Sequence, residues 1–242
     1  MMIDLSVVIP VYNEESCLES NAATIKAFLD TLNKDYEIIF VNDGSTDSTP
    51  TIIEGIVENN PQCRSVGSTK NRGKGDAVRR GILTAVGRYV VFTDADLAVP
   101  IRFVETCLRK LEGGSPMVIG SRHLPSSSFK VREGMLRQAC GEVFRRLAQV
   151  GLGLKVSDIT CGMKGLERHA ARALFSRSKI DRWGYDAEII FLAQKLHYAI
   201  EEIPVDWYHS FDSKVKVGID AFRTFVEMCR VRYYYVTKQY KI

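Results

Sequence analysis

The sequence predicts an α/β domain with a mostly parallel sheet flanked by helices, and three observations carry that expectation. Apolar runs of strand length alternate with amphipathic helical stretches. The best of these runs are continuously apolar, as expected of parallel strands covered on both faces. Polar motifs stand where the runs stop. A length of 242 residues suits one such core, since two domains would each be small.

Residues 5–11, Leu-Ser-Val-Val-Ile-Pro-Val, are a β-branched run that reads as the first strand. An amphipathic stretch from about Glu15 to Leu32 follows, and the apolar run from Tyr36 to Asn42 closes a β-α-β unit. A helical pattern over Thr49 to Asn59, a weak strand near Arg64 to Gly67 and a helix from Gly75 to Val86 continue the alternation. Arg88 to Thr93 is the most convincing buried strand, and it ends directly on Asp94. The second half is less regular. It contains a strand at Met117 to Gly120, a basic loop and helix from Ser126 to Leu152, and a turn-rich centre over Ser157 to Gly165. A helix from Tyr185 to Lys195, a strand at Ala199 to Val205 and a terminal helix over Gly218 to Lys238 complete the chain. The expected organisation is a single unit over 1–217, with 218–242 an amphipathic, basic and aromatic helix that packs on the same unit or touches a membrane surface.

Composition excludes several function classes. At 45% hydrophobic and 26% charged the chain is ordinary for a globular protein. A net charge of +4 spread over scattered basic residues gives no footprint for nucleic acid. No apolar stretch approaches the roughly 20 residues needed to cross a bilayer, so any membrane role is expected to be peripheral. The six cysteines lie far apart, without zinc-knuckle or disulfide spacing, and read as reduced thiols. With no basic leader ahead of the first strand, the expected location is cytoplasmic, extending to the cytoplasmic face of a membrane.

Three polar motifs end three strands: Tyr12-Asn13-Glu14, Asn42-Asp43-Gly44-Ser45 and Asp94-Ala95-Asp96. In open α/β sheets ligands bind beyond the carboxyl ends of strands, so the three imply one shared pocket. Two carboxylates one residue apart repel unless a hard cation lies between them and a phosphate, which suits Mg2+ or Mn2+. Alone, an Asp-x-Asp triplet is also what a solvated acidic turn looks like. Pro10, Tyr12 and Glu14 form an edge suited to stacking and hydrogen-bonding a base. The Asp43 carboxylate could accept a uracil imide N–H or serve as a turn or cap residue. The Gly-rich turn Asn71-Arg72-Gly73-Lys74-Gly75 offers amides and a helix N-terminus to phosphate, or simply turns tightly.

Taken in order, SVVIPVYNEE, VNDGSTD, NRGKGDAVRRG and FTDADL resemble family 2 glycosyltransferases of the GT-A (Rossmann-like) fold across the first half of the chain. GSRHL, DITCGMKGL, RWGYDAEIIFLAQ and IPVDW resemble the polyprenyl-phosphate branch, especially dolichyl-phosphate β-glucosyltransferases. The mannosyl-transferring branch usually carries Gln two residues after the acidic triplet; here that position is Ala98, as in the glucosyl branch, which leaves water to complete a metal shell.

The resemblance implies that Pro10, Tyr12, Glu14, Asp43, Lys74, Asp94 and Ala95 bind a nucleotide sugar, and that Asp94 and Asp96 hold Mg2+ or Mn2+. It implies catalytic roles for Asp96, Asp186, Arg122 and Lys164, and contacts from Arg132, Arg137 and Lys214 to an acceptor phosphate. Asp186 could be a base or could cap its helix, and Glu188 falls in the same acidic region. Cys161 has no fixed histidine partner and is expected to pack. The implied reaction is inverting transfer of glucose from UDP-glucose to a polyprenyl phosphate lipid. GDP-mannose or another donor, a soluble acceptor, a non-catalytic nucleotide-sugar-binding regulator and a nucleotidyltransferase are the alternatives these residues leave open.

Overall fold

The structure is a computed structural model that describes residues 3–129, 135–208 and 217–242, apart from the side chains of 129, 135–141, 143, 144 and 217–221. The first half alternates β1 (Leu5–Val11), α1 (Leu18–Asp30), β2 (Tyr36–Asp43), α2 (Thr49–Asn59), β3 (Cys63–Ser68), α3 (Lys74–Thr84) and β4 (Tyr89–Phe92). After it come α4 (Phe103–Glu112), β5 (Met117–Ser121), β6 (Ser128–Phe129), α5 (Met135–Leu152), β7 (Lys164–Glu167), α6 (Arg168–Phe175), α7 (Tyr185–Lys195), β8 (Ile200–Pro204), β9 (Asp206–Trp207) and α8 (Val217–Val236).

Among the described residues a seven-stranded sheet runs in the order β3-β2-β1-β4-β7-β5-β8, and β6 pairs with β9 apart from it. Pairing is parallel throughout the main sheet except at β7, which runs antiparallel to both β4 and β5. The period of two along a strand divides the core. Leu5, Val7, Ile9 and Val11 of β1 join α1, α2 and α4 on one face. Val8 of β1, with Ile39 and Val41 of β2, joins α3, α5, α6, α7 and α8 on the other. The weakest strand in the sequence, β3, lies at one edge with alternating burial, because an edge strand needs only one buried face.

Five elements were absent from the sequence reading: α4, α6, β7 and the two-residue strands β6 and β9. Helix α4 has a readable signal, with Val104, Cys107, Leu108 and Leu111 buried at helical spacing. Helix α6 is a short Arg- and Ala-rich segment. Strand β7, Lys-Gly-Leu-Glu, falls partly in the stretch read as turn-rich; its pattern is too polar and short to declare a strand, and partners on both sides make it one. The stretch expected as a basic loop and helix from Ser126 to Leu152 holds β6 and then α5, which ends at Leu152 as expected.

Pro10 lies inside β1, yet breaks no pairing. Val8 accepts the Thr93 N–H on the β4 side, and residue 10, two positions on, faces that same side after β1–β4 pairing has stopped at Val8 and Phe92. The missing N–H of proline thus falls at the open carboxyl end of the sheet. Helix α8 packs on α5 and α7, with Met228 and Val231 buried, and Tyr240 beyond it is 2% exposed in the same core cluster.

Candidate active site

The first two strand-end loops are laced together by the polar residues of both motifs. Asn13, at φ 53°, donates its N–H to Ser45 Oγ at 3.0 Å and accepts the Thr46 N–H at 2.8 Å. The Glu14 N–H donates to Thr49 Oγ1 at 2.9 Å, and the Glu15 carboxylate accepts the Ser48 N–H at 2.9 Å. These bonds hold Tyr12 and Glu14 against the β2 loop that carries Asp43.

Asp43 is 3% exposed, and its two oxygens accept the N–H groups of Arg72 at 3.0 Å and Gly73 at 2.8 Å. Burial raises its pKa, opposed by those two amides and the Arg80 charge. Asp43 therefore fastens the Gly-rich turn to β2. Oδ1 also meets Arg80 Nη2 at 3.4 Å, so Oδ2 is the oxygen with a second lone pair for a base N–H. The Asp76 N–H bonds to Asp181 O at 2.9 Å, so two amides of the turn and one of the helix start that follows it are committed within the protein. Gly73 (φ 113°) and Gly75 are needed for close approach, since a Cβ at either would lie 2.5 to 2.6 Å from the carbonyl oxygens of Asp181 and Ile180. Arg79 and Arg80 are also committed, to Asp76, Asp181 and Asp43.

The acidic triplet is a tight turn. Leu97 takes φ 52°, which is uncommon for a residue with a Cβ, and its N–H donates to Asp94 O at 3.3 Å. Asp96 Oδ1 accepts the Ala98 N–H at 3.0 Å. Asn21 of α1 donates to Ala95 O at 2.8 Å, and the Tyr208 N–H donates to Ala98 O at 2.8 Å. The turn is thus pinned from two other parts of the chain. Burial, and then the Asp94 charge beside it, raise the pKa of Asp96.

Lys74, the first residue of α3, bridges the loops: its Nζ lies 2.5 Å from Asp94 Oδ1 and 5.6 Å from the centre of the Trp183 ring. Burial works to lower its pKa, but Asp94 and then Asp186 outweigh that and raise it. Asp186, at the start of α7, pairs with Lys164 Nζ, which is fully buried and also donates to Cys161 O at 2.7 Å. Burial raises the pKa of Asp186, against the pull of Lys164 and Lys74. Asp94, Lys74, Asp186 and Lys164 alternate in charge, and Asp96 sets a second acid beside Asp94. With three carboxylates against two ammoniums, one negative charge is in excess.

Asp186 lies in the first turn of α7, whose N-cap is Gly184, and its carboxylate takes the Lys164 ammonium. Glu188 is fully buried and accepts the N–H groups of Lys179 and Ile180 and the Tyr240 hydroxyl, which ties the loop before α7 to the C-terminal turn. Arg122 forks onto Asp158 through Nε at 2.7 Å and Nη2 at 3.0 Å. Although burial raises the Asp158 pKa, the Arg122 charge and hydrogen bonds bring it down to about 2. Arg122 and Lys164, read as cations meeting an acceptor, are each already paired. Cys161 is 1% exposed, with burial pushing its thiol up to about 11, the state of a packing thiol. Arg132 and Lys214 lie outside the described residues, as does the side chain of Arg137. Sequence reasoning missed Asp158 as the partner of Arg122 and Gly162 beside Asp94, for their partners lie far along the chain.

The residues fit a Mg2+ or Mn2+ ion held jointly with a ligand. Among the described residues no group of three or more His, Cys, Asp and Glu is placed to hold a metal alone. Two crowded carboxylates, one raised in pKa by the other, suit a hard cation whose remaining ligands are phosphate and water oxygens. Gly162 guards this arrangement, since a Cβ there would overlap the Asp94 carboxylate. Gly162→Ala is expected to leave a folded protein whose transfer rate falls by about 10²-fold, the cost of misplacing a catalytic group by about 1 Å; an unchanged rate would remove Asp94 from the site.

A dolichyl-phosphate beta-glucosyltransferase of Dictyostelium discoideum is 35% identical over 99% of this chain and 77% of its own length. The Saccharomyces cerevisiae enzyme of that name is 32% identical over the same shares. In fold, the chain resembles glucosyl-3-phosphoglycerate synthase from Mycobacterium tuberculosis, solved with Mn2+, UDP and phosphoglyceric acid, at a TM-score of 0.68 and 21% identity over 94% of this chain and 78% of that one. The glycosyl transferase family 2 domain matches residues 6–175, a span that includes all three strand-end motifs, the Lys74 turn and the Lys164 strand, and the chain belongs to that family.

Proposed function

We propose that this chain transfers glucose from UDP-glucose to a polyprenyl phosphate, with Mg2+ or Mn2+ as cofactor. The carrying observation is the pinned Asp94–Asp96 turn, joined by Lys74 to the buried Asp186–Lys164 pair, in a chain similar over nearly its whole length to dolichyl-phosphate beta-glucosyltransferases.

In this reading the base lies between the β1 and β2 ends, stacked by Pro10 and Tyr12, with Asp43 and Glu14 accepting from the nucleoside. Ala95, with its carbonyl tied to Asn21, keeps the Asp94 and Asp96 carboxylates turned toward the diphosphate. A divalent ion held there would neutralise the charge that develops on the leaving UDP. Lys74 stands beside that position and adds a cation to the same oxygens, an electrostatic contribution made where charge appears. Asp186 is the acidic group on the acceptor side, and the Lys164 ammonium favours its ionised form against burial. A lipid phosphate arrives as an anion and needs little proton removal. It needs cations to approach an acidic site, which is the part assigned to Arg132, Arg137, Lys214 and the Arg122 region. Direct displacement inverts the anomeric centre, so an α-linked donor yields a β-linked product.

Incubation with radiolabelled UDP-glucose, Mg2+ or Mn2+ and polyprenyl phosphate is expected to move label into the lipid phase and release UDP. Label from GDP-mannose instead, or label confined to a soluble acceptor, would reject the glucose-to-lipid assignment while retaining glycosyl transfer. Pyrophosphate as the by-product would mark a nucleotidyltransferase.

A further inference from the structure

Helix α8 has two apolar faces, and the fold uses one. Met228 and Val231 pack into the core, with Tyr234 and Tyr235 partly buried against it, and Glu227 on that side accepts the Gly184 N–H at 2.8 Å. The other face carries Phe222 (70% exposed), Phe225 (44%), Tyr233 (59%) and Val236 (67%), with the exposed Cys229 between them. At 3.6 residues per turn these five positions fall within a sector of roughly 80°. The exposed Arg223 and Arg230 border it on one side and the exposed Arg232 on the other. Among the described residues of the helix no acidic side chain borders this stripe. No helix among the described residues is long and apolar enough to cross a membrane.

We infer that this face of α8 docks on the surface of an anionic bilayer, with the aromatic stripe at the headgroup boundary and the arginines among the phosphates. A cationic border on both sides of an apolar stripe is the charge pattern of a helix lying in an anionic interface. A second copy laid on the same stripe would set arginine against arginine, which argues against self-association as the occupant. The inference deepens, and rests on, the reading of a lipid-phosphate acceptor: it names how the described residues, none of which form a helix able to span a membrane, reach a substrate that stays in the membrane. The buried side of the same helix holds Gly184, two residues before Asp186, so the docking face and the acceptor side of the site share one rigid element.

The test uses the full chain and vesicles free of polyprenyl phosphate, so it does not depend on the acceptor being identified correctly. Flotation is expected with phosphatidylcholine vesicles containing phosphatidylglycerol, and at least about tenfold weaker binding to phosphatidylcholine alone. The double variant Phe222→Ser with Val236→Ser is expected to weaken binding to the anionic vesicles by about tenfold or more, with an unchanged thermal unfolding midpoint, since these side chains are 70% and 67% exposed. Equal binding by parent and double variant, or no binding by the parent, would overturn the inference. So would a parent dimer that ignores vesicles and dissociates in the double variant, which would assign the stripe to a second copy. Vesicle binding that the variant loses supports docking even where glucose transfer to the lipid fails, and that failure would count against the acceptor reading alone.

Discussion

Asp96→Asn is expected to lower sugar transfer by about 10²–10³-fold, the usual cost of removing one electrostatic contributor at a charge-developing centre, while leaving the protein at least as stable as the parent. The two effects have separate causes. The Asp96 carboxylate accepts the Ala98 N–H, a bond that the Asn carbonyl oxygen can also accept, so the turn survives. The charge is what is lost. Burial, and then Asp94, raise the folded-state pKa of Asp96 above its ordinary value, so the ionised form at neutral pH costs stability, a cost that disappears as pH falls through the raised value. A neutral amide removes that cost permanently. UDP release under saturating Mg2+ or Mn2+, read beside the urea midpoint, checks both halves. Activity near that of the parent would show that the triplet is a structural turn, and a large loss of stability would show that Asp96 is held by contacts beyond those described above. Gain or retention of stability with loss of activity is the signature of a residue kept for its chemistry.

Lys164→Met is expected to cost about 3–5 kcal/mol, the range for removing one partner of a buried ion pair. Lys164 is fully buried in β7, its register positions facing Phe92 of β4 and Ile119 of β5. Its removal leaves the Asp186 carboxylate without its nearest counter-charge and Cys161 O without its donor. Against a typical net stability of about 5–15 kcal/mol, such a variant lies near the edge of folding. Adding Asp186→Asn removes the stranded charge and is expected to recover most of the loss in a urea melt. The double variant then separates the roles. If it is folded and inactive, the pair serves the reaction; if it is folded and active, the pair is structural and Asp186 has no part in transfer. A single variant as stable as the parent would mean that Asp186 is protonated in the folded chain.

Much of the first half was legible because its signals are local. Continuous apolar runs in β1, β2 and β4 report burial on both faces of a parallel sheet, and motifs at strand ends report where such sheets bind. The acidic triplet, Tyr12, Glu14, Asp43 and Lys74 do converge, and the bonds that bring them together run between adjacent strand ends. Where partners are distant in sequence, little was legible. Arg122 meets Asp158, and Lys164 meets Asp186, across loops that no pattern of residues declares. Each cation was assigned a catalytic role with no partner named, because a sequence shows a charge without showing what it pairs with. The phosphate-cradle reading of the Gly-rich turn likewise could not show that Asp43 takes the amides of Arg72 and Gly73 and that Asp181 takes the amide of Asp76 on α3.

Periodicity and motif spacing, which are properties of neighbouring residues, were enough for the α/β class, the order of the first strands and the presence of polar motifs at their ends. It took the packed fold to show that a polar four-residue segment becomes an antiparallel strand inside the sheet, that it buries a lysine against Asp186, and that α8 turns one apolar face inward and leaves the other to solvent. Those outcomes depend on which surfaces meet when separate elements pack, and that is settled by the competition of all of them for one core.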